Sequence, residues 1–274
     1  PVAEASARAI LKNEESSEEI EGQIAARLNG GYGALVDCLV EGCRRNSVDI
    51  ITSAEVLSID WRRKPITVRV RSQASAHDLS ATYAIVTLPI GVLRSGAIEF
   101  PALSVEKIDA IESIESASVA KVAMHFRDRF WPEENFGFIH SEDEWFPTCW
   151  GDERGDILTV WAGGPRATEL NQQNGEFILH RALETISKMF GESINRIRGS
   201  LRGAYSHNWD ADPFSRGAYS FAPVAAAEAP RILAKPESEA VFFAGEATDL
   251  NHQTGTVHAA IDSARRAVRQ LERA

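Results

Sequence analysis

The sequence predicts a mixed α/β fold with α+β portions, and three stretches of the 274-residue chain carry that prediction. Residues 241–244 form a short apolar run that Gly245 ends, which is the pattern of a fully buried strand. Apolar residues then return at helical spacing over 257–271, and Thr256 is placed to cap that helix at its N-terminus. Residues 66–70 alternate between apolar and polar, which is typical of a half-buried antiparallel strand.

The other elements are predicted in chain order. Ser16 or Ser17 is placed to cap a helix that runs to Leu28, and the glycine-rich turn at 29–33 precedes an apolar helix. Residues 176–190 predict an amphipathic packing helix that ends at Gly191. The strands predicted besides the two above are 48–51, 54–59, 81–89, 116–126 and 157–161.

Composition narrows the class of protein. With 44% hydrophobic and 25% charged residues and no apolar run of membrane-spanning length, we expect a soluble, cytoplasmic protein with no membrane partner. The first residues, Pro-Val-Ala-Glu-Ala, show no signal-peptide pattern, and the missing initiator methionine predicts a fragment or a processed product. A net charge of −10 argues against nucleic-acid binding and is compatible with a cationic substrate.

The sequence predicts no metal site. Cys38, Cys43 and Cys149 lack the spacing of metal ligands, so we expect reduced, partly buried thiols. His207 and His258 also lack partners at ligand spacing, and we interpret both as structural or helix-start residues.

Two motifs near the C-terminus indicate a ligand-binding site. Residues 243–248 read Phe-Ala-Gly-Glu-Ala-Thr, and residues 255–260 read Gly-Thr-Val-His-Ala-Ala. A strand, a Gly-Glu turn and a helix start offer backbone N–H groups to a negatively charged or electron-accepting ligand. The alternative is an ordinary strand-turn-helix in which Glu246 is merely solvated.

Together, the motifs resemble the C-terminal signature of the flavin-containing amine oxidases, a superfamily that includes monoamine oxidases, polyamine oxidases, L-amino-acid oxidases and flavin-dependent histone demethylases.

This resemblance implies FAD as the cofactor and nominates residues that bind it. Glu246, after Gly245, would meet the ribityl-pyrophosphate part of FAD. The helix that opens at Thr256 and Val257 would point its N-terminus at the pyrimidine edge of the flavin, where a reduced flavin carries negative charge. Val56 matches a strand valine that packs near the adenine end in the family.

Two further stretches resemble the family and supply the other candidates. Residues 121–131 resemble the motif whose lysine holds a water against flavin N5, which nominates Lys121 as the catalytic residue; composition alone favours a lysine on the wet face of an edge strand. Residues 209–221 resemble the segment in which a tryptophan packs beside the flavin and a later aromatic residue walls the substrate site. They nominate Trp209 and Tyr219, for which ordinary core aromatics are the alternative.

The resemblance also implies domains and an activity. We expect an FAD-binding portion, with a three-layer-like sheet and helices, interleaved with a substrate domain of mixed sheet and helices. The predicted segments are substrate-domain helices at 1–29, the FAD-domain middle segment at 30–91, the substrate-binding domain at 92–216 and the FAD-domain C-terminal segment at 217–274. The implied reaction oxidises an amine, a polyamine or another alkylamine, to an imine with dioxygen as electron acceptor.

Other functions stay open at the level of sequence. They are an L-amino-acid oxidase-type activity and a non-catalytic subunit or scaffold that has lost FAD binding. An NAD-dependent dehydrogenase is disfavoured because no G-x-G-x-x-G opens a helix. Thr256 replaces the tyrosine of monoamine oxidases, which favours a polyamine or another alkylamine as substrate, and Ala259 stands where many members have glycine.

The family's N-terminal dinucleotide-binding unit has no counterpart in this sequence. We therefore expect weak FAD binding by this chain alone. We also expect the missing half, as a separate chain, or a homodimer to cover apolar surface on Phe242, Phe243 and the strands that carry Ile50 and Val56.

Overall fold

A computed structural model describes residues 7–19, 28–72, 75–101, 103–132, 137–142, 144–152 and 155–274. The fold is mixed α/β with helices and several sheets, as the sequence predicts. The chain divides into two compact units. The described residues of the first, called the five-stranded unit, are 89–91 and 115–221. All other described residues form the second unit. It is called the C-terminal unit because it holds the C-terminus, although it also contains the described residues before 89 and residues 92–114. The finer domain assignment stays a prediction.

The helices in chain order are α1 (Ala7–Glu19), α2 (Gly31–Arg45), α3 (Ile90–Arg94), α4 (Val105–Ser113), α5 (Pro165–Asn171), α6 (Gly175–Phe190), α7 (Ile194–Ser200), α8 (Ala229–Ala234) and α9 (Val257–Leu271). The strands are β1 (Ala54–Asp60), β2 (Ile66–Ser72), β3 (Ser75–Ala81), β4 (Ala84–Val86), β5 (Glu115–Ala117), β6 (Val119–Phe126), β7 (Phe138–His140), β8 (Thr148–Gly151), β9 (Ile157–Gly163), β10 (Leu201–Tyr205), β11 (Tyr219–Phe221) and β12 (Val241–Phe243). Short 3₁₀ turns lie at Val224–Ala226 and Glu246–Thr248.

The five-stranded unit is built on an antiparallel sheet in the order β10-β6-β9-β8-β7. Alternation along β6 buries Val122, Met124 and Phe126 and exposes Lys121. Helix α6 packs on this core and confirms the predicted helix, because Asn174 caps its first turn and Gly191 ends it in the left-handed conformation. These contacts make β6 an interior strand with one face in the core.

The C-terminal unit contains two sheets. Strands β1, β2 and β3 form an antiparallel meander, and β12 pairs in parallel with β4. The expected exposure of Phe242 and Phe243 is wrong, since each is only 1% exposed. Ala267 and Leu271 of α9 pack against Phe242, and the ammonium of Lys107 lies 4.2 Å from the centre of the Phe243 ring.

Several local predictions are corrected. Helix α1 begins at Ala7, so Ser16 and Ser17 lie inside the helix instead of capping it, and the rest of that predicted helix, 20–27, falls outside the described residues. Residues 48–51 are not a strand: the N–H of Val48 bonds the carbonyl of Cys43 at the end of α2, at 3.0 Å. Only 84–86 of the predicted strand 81–89 pairs as a strand of its own, because Ala81 ends β3.

Helix α9 forms where predicted but buries a different face. Ala259, Ser263 and Ala267 are its buried residues, whereas the larger Val257 and Val268 are exposed. Small side chains allow the helix backbone to approach β12 and the 3₁₀ turn closely. Val257, Ile261 and Val268 of the expected apolar stripe are therefore left on the open side of the helix, whereas Leu271 packs inward.

Two features are absent from the described residues. No helix there is long and apolar enough to cross a bilayer. No group of three or more potential ligands among His, Cys, Asp and Glu is arranged there to hold a metal ion. The three cysteines are free thiols; Cys43 is half-buried and Cys149 buried, whereas Cys38 is exposed, so the expected burial does not hold for Cys38.

Lys107 is a buried cation, 2% exposed, that joins α4 to the end of α8. Its ammonium donates to the carbonyls of Leu233, at 3.0 Å, and Lys235, and lies 3.9 Å from a carboxylate oxygen of Glu237. Burial lowers the pKa of Lys107 to about 8, although the Glu237 carboxylate opposes that shift.

Stability should therefore depend on the charge of Lys107. Its pKa in the folded protein lies below the ordinary 10.5, so the unfolded chain holds the proton to a higher pH. We expect the free energy of unfolding of the wild type, relative to Lys107→Met, to rise by roughly 1–3 kcal/mol as pH increases from about 8 to 10.5. Urea unfolding across this range measures it, with the exposed Lys64→Met as control. A pH-independent difference between wild type and Lys107→Met would contradict this expectation.

Candidate functional site

The turn after β12 in the C-terminal unit presents the predicted carboxylate. Gly245 has φ +117°, a backbone conformation that favours glycine, and it leads into the 3₁₀ turn that starts at Glu246. The Thr248 hydroxyl donates to the Gly245 carbonyl at 2.8 Å and closes the turn. Glu246 Oε2 accepts the N–H of Gly255 at 2.7 Å. The Gly-Glu turn and the approach to α9 are thereby joined through one carboxylate.

The N-terminus of α9 is capped as predicted and lies open. The Thr256 hydroxyl accepts the N–H of Ala259 at 3.3 Å and donates to the carbonyl of Gln253 at 2.6 Å. Val257 is 43% exposed and His258 is also exposed. The positive end of a 15-residue helix is thus accessible to an electron-rich ligand.

Two side chains of α9 that the sequence analysis missed hold the Gly-Glu turn in place. Ser263 Oγ accepts the N–H of Gly245 at 2.8 Å. Arg266 Nη2 donates to the carbonyl of Phe243 at 2.9 Å and to the Thr248 hydroxyl at 2.7 Å. Burial lowers the pKa of Arg266, and the Asp249 carboxylate opposes the shift. The signal in the sequence is a polar stripe among small residues on the buried face of α9.

The loop between the turn and α9 is ordered by Asp249. Its Oδ2 accepts the N–H groups of Asn251, at 3.1 Å, and Gln253, at 2.7 Å. Asp249 is buried, so these two bonds fix the backbone that leads to the helix start. Val56, the predicted adenine-end residue, lies on β1 in the separate meander sheet, where it pairs with Val70, and its role stays a prediction.

In the five-stranded unit, Lys121 lies on β6 opposite Trp161 of β9. It is exposed, and it lies just beyond the part of β6, residues 123–126, that pairs with β10. Lys121 thus lies on an exposed face of the sheet, at a position where β6 pairs with β9. An exposed ammonium at this position is accessible to a ligand or a water molecule.

Trp209 and Tyr219 of the same unit are both more exposed than ordinary core aromatics. Trp209 follows β10 and is 41% exposed, with its ring 4.3 Å from that of His207 in an edge-to-face arrangement. His207 Nε2 lies 2.9 Å from Asp212 Oδ2. Hydrogen bonds from the backbone N–H of Phe214, which has the larger effect, and from His207 lower the pKa of Asp212. Tyr219, on β11, is 37% exposed, and burial of its phenol raises the pKa of that group.

The residues of the C-terminal unit fit the flavin end of FAD by their chemistry. The Glu246 carboxylate is an acceptor for hydroxyl groups such as those of a ribityl chain. The first-turn N–H groups of α9 are donors for an electron-rich ring edge. The sequence contains no G-x-G-x-x-G turn that would supply a pyrophosphate cradle.

Comparison with known proteins defines the class. The sequence pattern of the flavin containing amine oxidoreductase family matches residues 2–271, so the chain belongs to that family. Membership implies FAD as the cofactor and an oxidoreductase class.

Among the relatives, the Arabidopsis thaliana lysine-specific histone demethylase 1 homolog 3 is 26% identical over 90% of this chain and 16% of its own length. The Mus musculus lysine-specific histone demethylase 1B is 29% identical over 81% of this chain and 27% of its own. Polyamine oxidase 4 of Oryza sativa subsp. japonica is 28% identical over 92% of this chain and 50% of its own. The chain thus spans half, or less, of the length of these relatives.

Proposed function

We propose that this chain is part of an FAD-dependent oxidase that converts a polyamine or another alkylamine to an imine and uses dioxygen as electron acceptor. The observation that carries the proposal is the joint placement of Glu246 and the open N-terminus of α9, linked by the Glu246–Gly255 hydrogen bond. The substrate class is supported by the names of the relatives, which are polyamine oxidases and lysine-specific demethylases. Both names denote alkylamine groups as substrates.

Bound FAD supplies hydride acceptance from the carbon next to the amine nitrogen, and reduction of dioxygen to hydrogen peroxide completes the electron balance. Gly245, Glu246, Thr256 and Val257 would hold the cofactor. The α9 N-terminus would face the electron-rich edge of the ring and stabilise negative charge there. Val56 is proposed for the adenine end.

The five-stranded unit supplies the remaining roles in this proposal. The Lys121 ammonium holds a water molecule by donating a hydrogen bond to its oxygen. Trp209 and Tyr219 are flat walls that orient the neutral amine and exclude other water. An amine with an available lone pair is the reactive form, and apolar walls disfavour its protonation.

We also propose that further protein, either a dinucleotide-binding half or a second copy of this chain, covers part of the C-terminal unit. Helix α2 has no buried residue, and its Val36 and Leu39 are exposed. Ile50 and Ile51, which follow this helix, are exposed as well. Such a set of exposed apolar side chains favours a covering partner.

The test is flavin binding and amine oxidation by the purified chain. We expect FAD to be lost on dialysis, because missing phosphate contacts remove about 1–3 kcal/mol each. At saturating FAD we expect hydrogen peroxide from spermidine or a dimethyl-lysine peptide, and none from L-leucine. Peroxide from L-leucine would favour an amino-acid oxidase. Absence of flavin binding at millimolar FAD would instead favour a non-catalytic scaffold.

A further inference from the structure

A carboxylate that the proposed reaction does not use lies next to Trp209. One oxygen of Asp210, Oδ2, accepts hydrogen bonds from the Ser118 hydroxyl and from Asn171 Nδ2, the latter at 2.8 Å. The same amide of Asn171 donates to the carbonyl of Val119 at 3.2 Å. Asp210 therefore joins the loop after β10 to the start of β6 and to the last residue of α5.

Asn208, the residue before Trp209, is also held by side-chain hydrogen bonds, as Asp210 after it is. Asn208 Nδ2 donates to the carbonyl of Asn171 at 2.8 Å, and its Oδ1 accepts the N–H of Ala211 at 3.1 Å. The carbonyl of Trp209 itself accepts the N–H of Gly217 at 2.9 Å. The backbone of Trp209 is consequently fixed although 41% of the residue is exposed.

The segment 116–118 is the common support of the three site residues in the five-stranded unit. Tyr219 pairs with Ala117 between β11 and β5. A Cβ on Gly217, which has φ +132°, would lie 1.9 Å from Ser116 Oγ, so the loop closes tightly against this segment. Ser118 directly precedes β6, the strand that carries Lys121.

We propose that Asp210 is a positioning residue that sets Trp209 relative to β6 through Ser118 and Asn171. The proposal rests on the proposed function for the role of Trp209, while the geometry itself involves no cofactor. An ionised carboxylate accepts both donors at one oxygen, and these charge-assisted bonds are stronger than neutral ones. Asparagine at position 210 keeps one acceptor oxygen, whereas alanine keeps none.

The near-ultraviolet circular dichroism of Trp209 tests the proposal without flavin. The Trp209 band is defined as the difference between wild type and Trp209→Phe. We expect Asp210→Ala to lose most of this band and Asp210→Asn to keep most of it. Asp128→Ala, which removes an exposed carboxylate of the same unit, should leave the band intact.

A measurement of amine oxidation distinguishes a positioning role of Asp210 from a role in folding alone. At saturating FAD we expect Asp210→Ala to lower alkylamine turnover about tenfold, as misplacement of a site wall does, with Asp210→Asn in between. If Asp210→Ala does not fold by far-ultraviolet dichroism, Ser118→Ala, which removes one of the two donors, takes its place and should weaken the band.

A full Trp209 band in the folded alanine variant would overturn the proposal. Band loss in a chain that binds no flavin would support the positioning role and refute only the proposed function.

Discussion

Replacement of Lys121 by methionine is expected to slow flavin-dependent amine oxidation, or reoxidation by dioxygen, by about 10²–10³. The positive charge and the hydrogen bond to a held water molecule disappear, and both act only when the flavin is reduced or reacting. The fold should persist with a change within about 0.5 kcal/mol, since the Lys121 side chain is exposed on β6. Stopped-flow absorbance of the reductive and oxidative half-reactions at saturating FAD measures both rate constants.

Lys64→Met is the matched control, because Lys64 is an exposed lysine in the turn between β1 and β2. It should leave both half-reactions unchanged. Unchanged rate constants in Lys121→Met as well would remove Lys121 from the mechanism and leave it as a solvated residue on the exposed face of the sheet.

The sequence predicted the existence of α9 and its cap but not its buried face. Thr256 caps the helix because its hydroxyl reaches the N–H of Ala259, which is a local relation that a sequence reveals. The face was misjudged because periodicity gives weight to large apolar side chains such as Val257 and Val268. Close approach to β12 instead selects Ala259, Ser263 and Ala267, and only the partner elements reveal that constraint.

The candidate site likewise contains residues that motifs reveal and residues that only the tertiary fold reveals. Glu246 and Lys121 were nominated through motifs, and the structure adds the Gly255 N–H that Glu246 accepts and the pairing of Lys121 with Trp161. Asp210 was missed because its donors, Ser118 and Asn171, lie 92 and 39 positions away in the chain. A carboxylate beside a tryptophan in a polar loop looks solvated in sequence, and only the tertiary fold brings the donors to it. Likewise, the exposure of Lys121 depends on which face of β6 the α6 core covers.

Arg266 should be the residue of α9 whose loss has the largest effect on stability. Its guanidinium bonds the carbonyls of Ala234, at 2.8 Å, and Phe243, at 2.9 Å, and the Thr248 hydroxyl, at 2.7 Å. It therefore ties the end of α8, the end of β12 and the Gly-Glu turn to one helix. Charged hydrogen bonds contribute about 1.5–3 kcal/mol each but are not additive, so we expect Arg266→Met to lower the free energy of unfolding by about 2–4 kcal/mol.

Urea unfolding of the purified chain measures this loss, and the adjacent Arg265→Met is its matched control. Arg265 is 69% exposed at its side chain and pairs with Asp262 of the same helix, at 3.2 Å, so its loss should change stability by less than about 0.5 kcal/mol. Because Arg266 also holds Thr248, the same variant should loosen the turn that carries Glu246 and weaken FAD binding in equilibrium titrations. Equal stability of the two variants would show that the carbonyls of Ala234 and Phe243 find other donors. The Gly-Glu turn would then be held by Ser263 and not by the guanidinium.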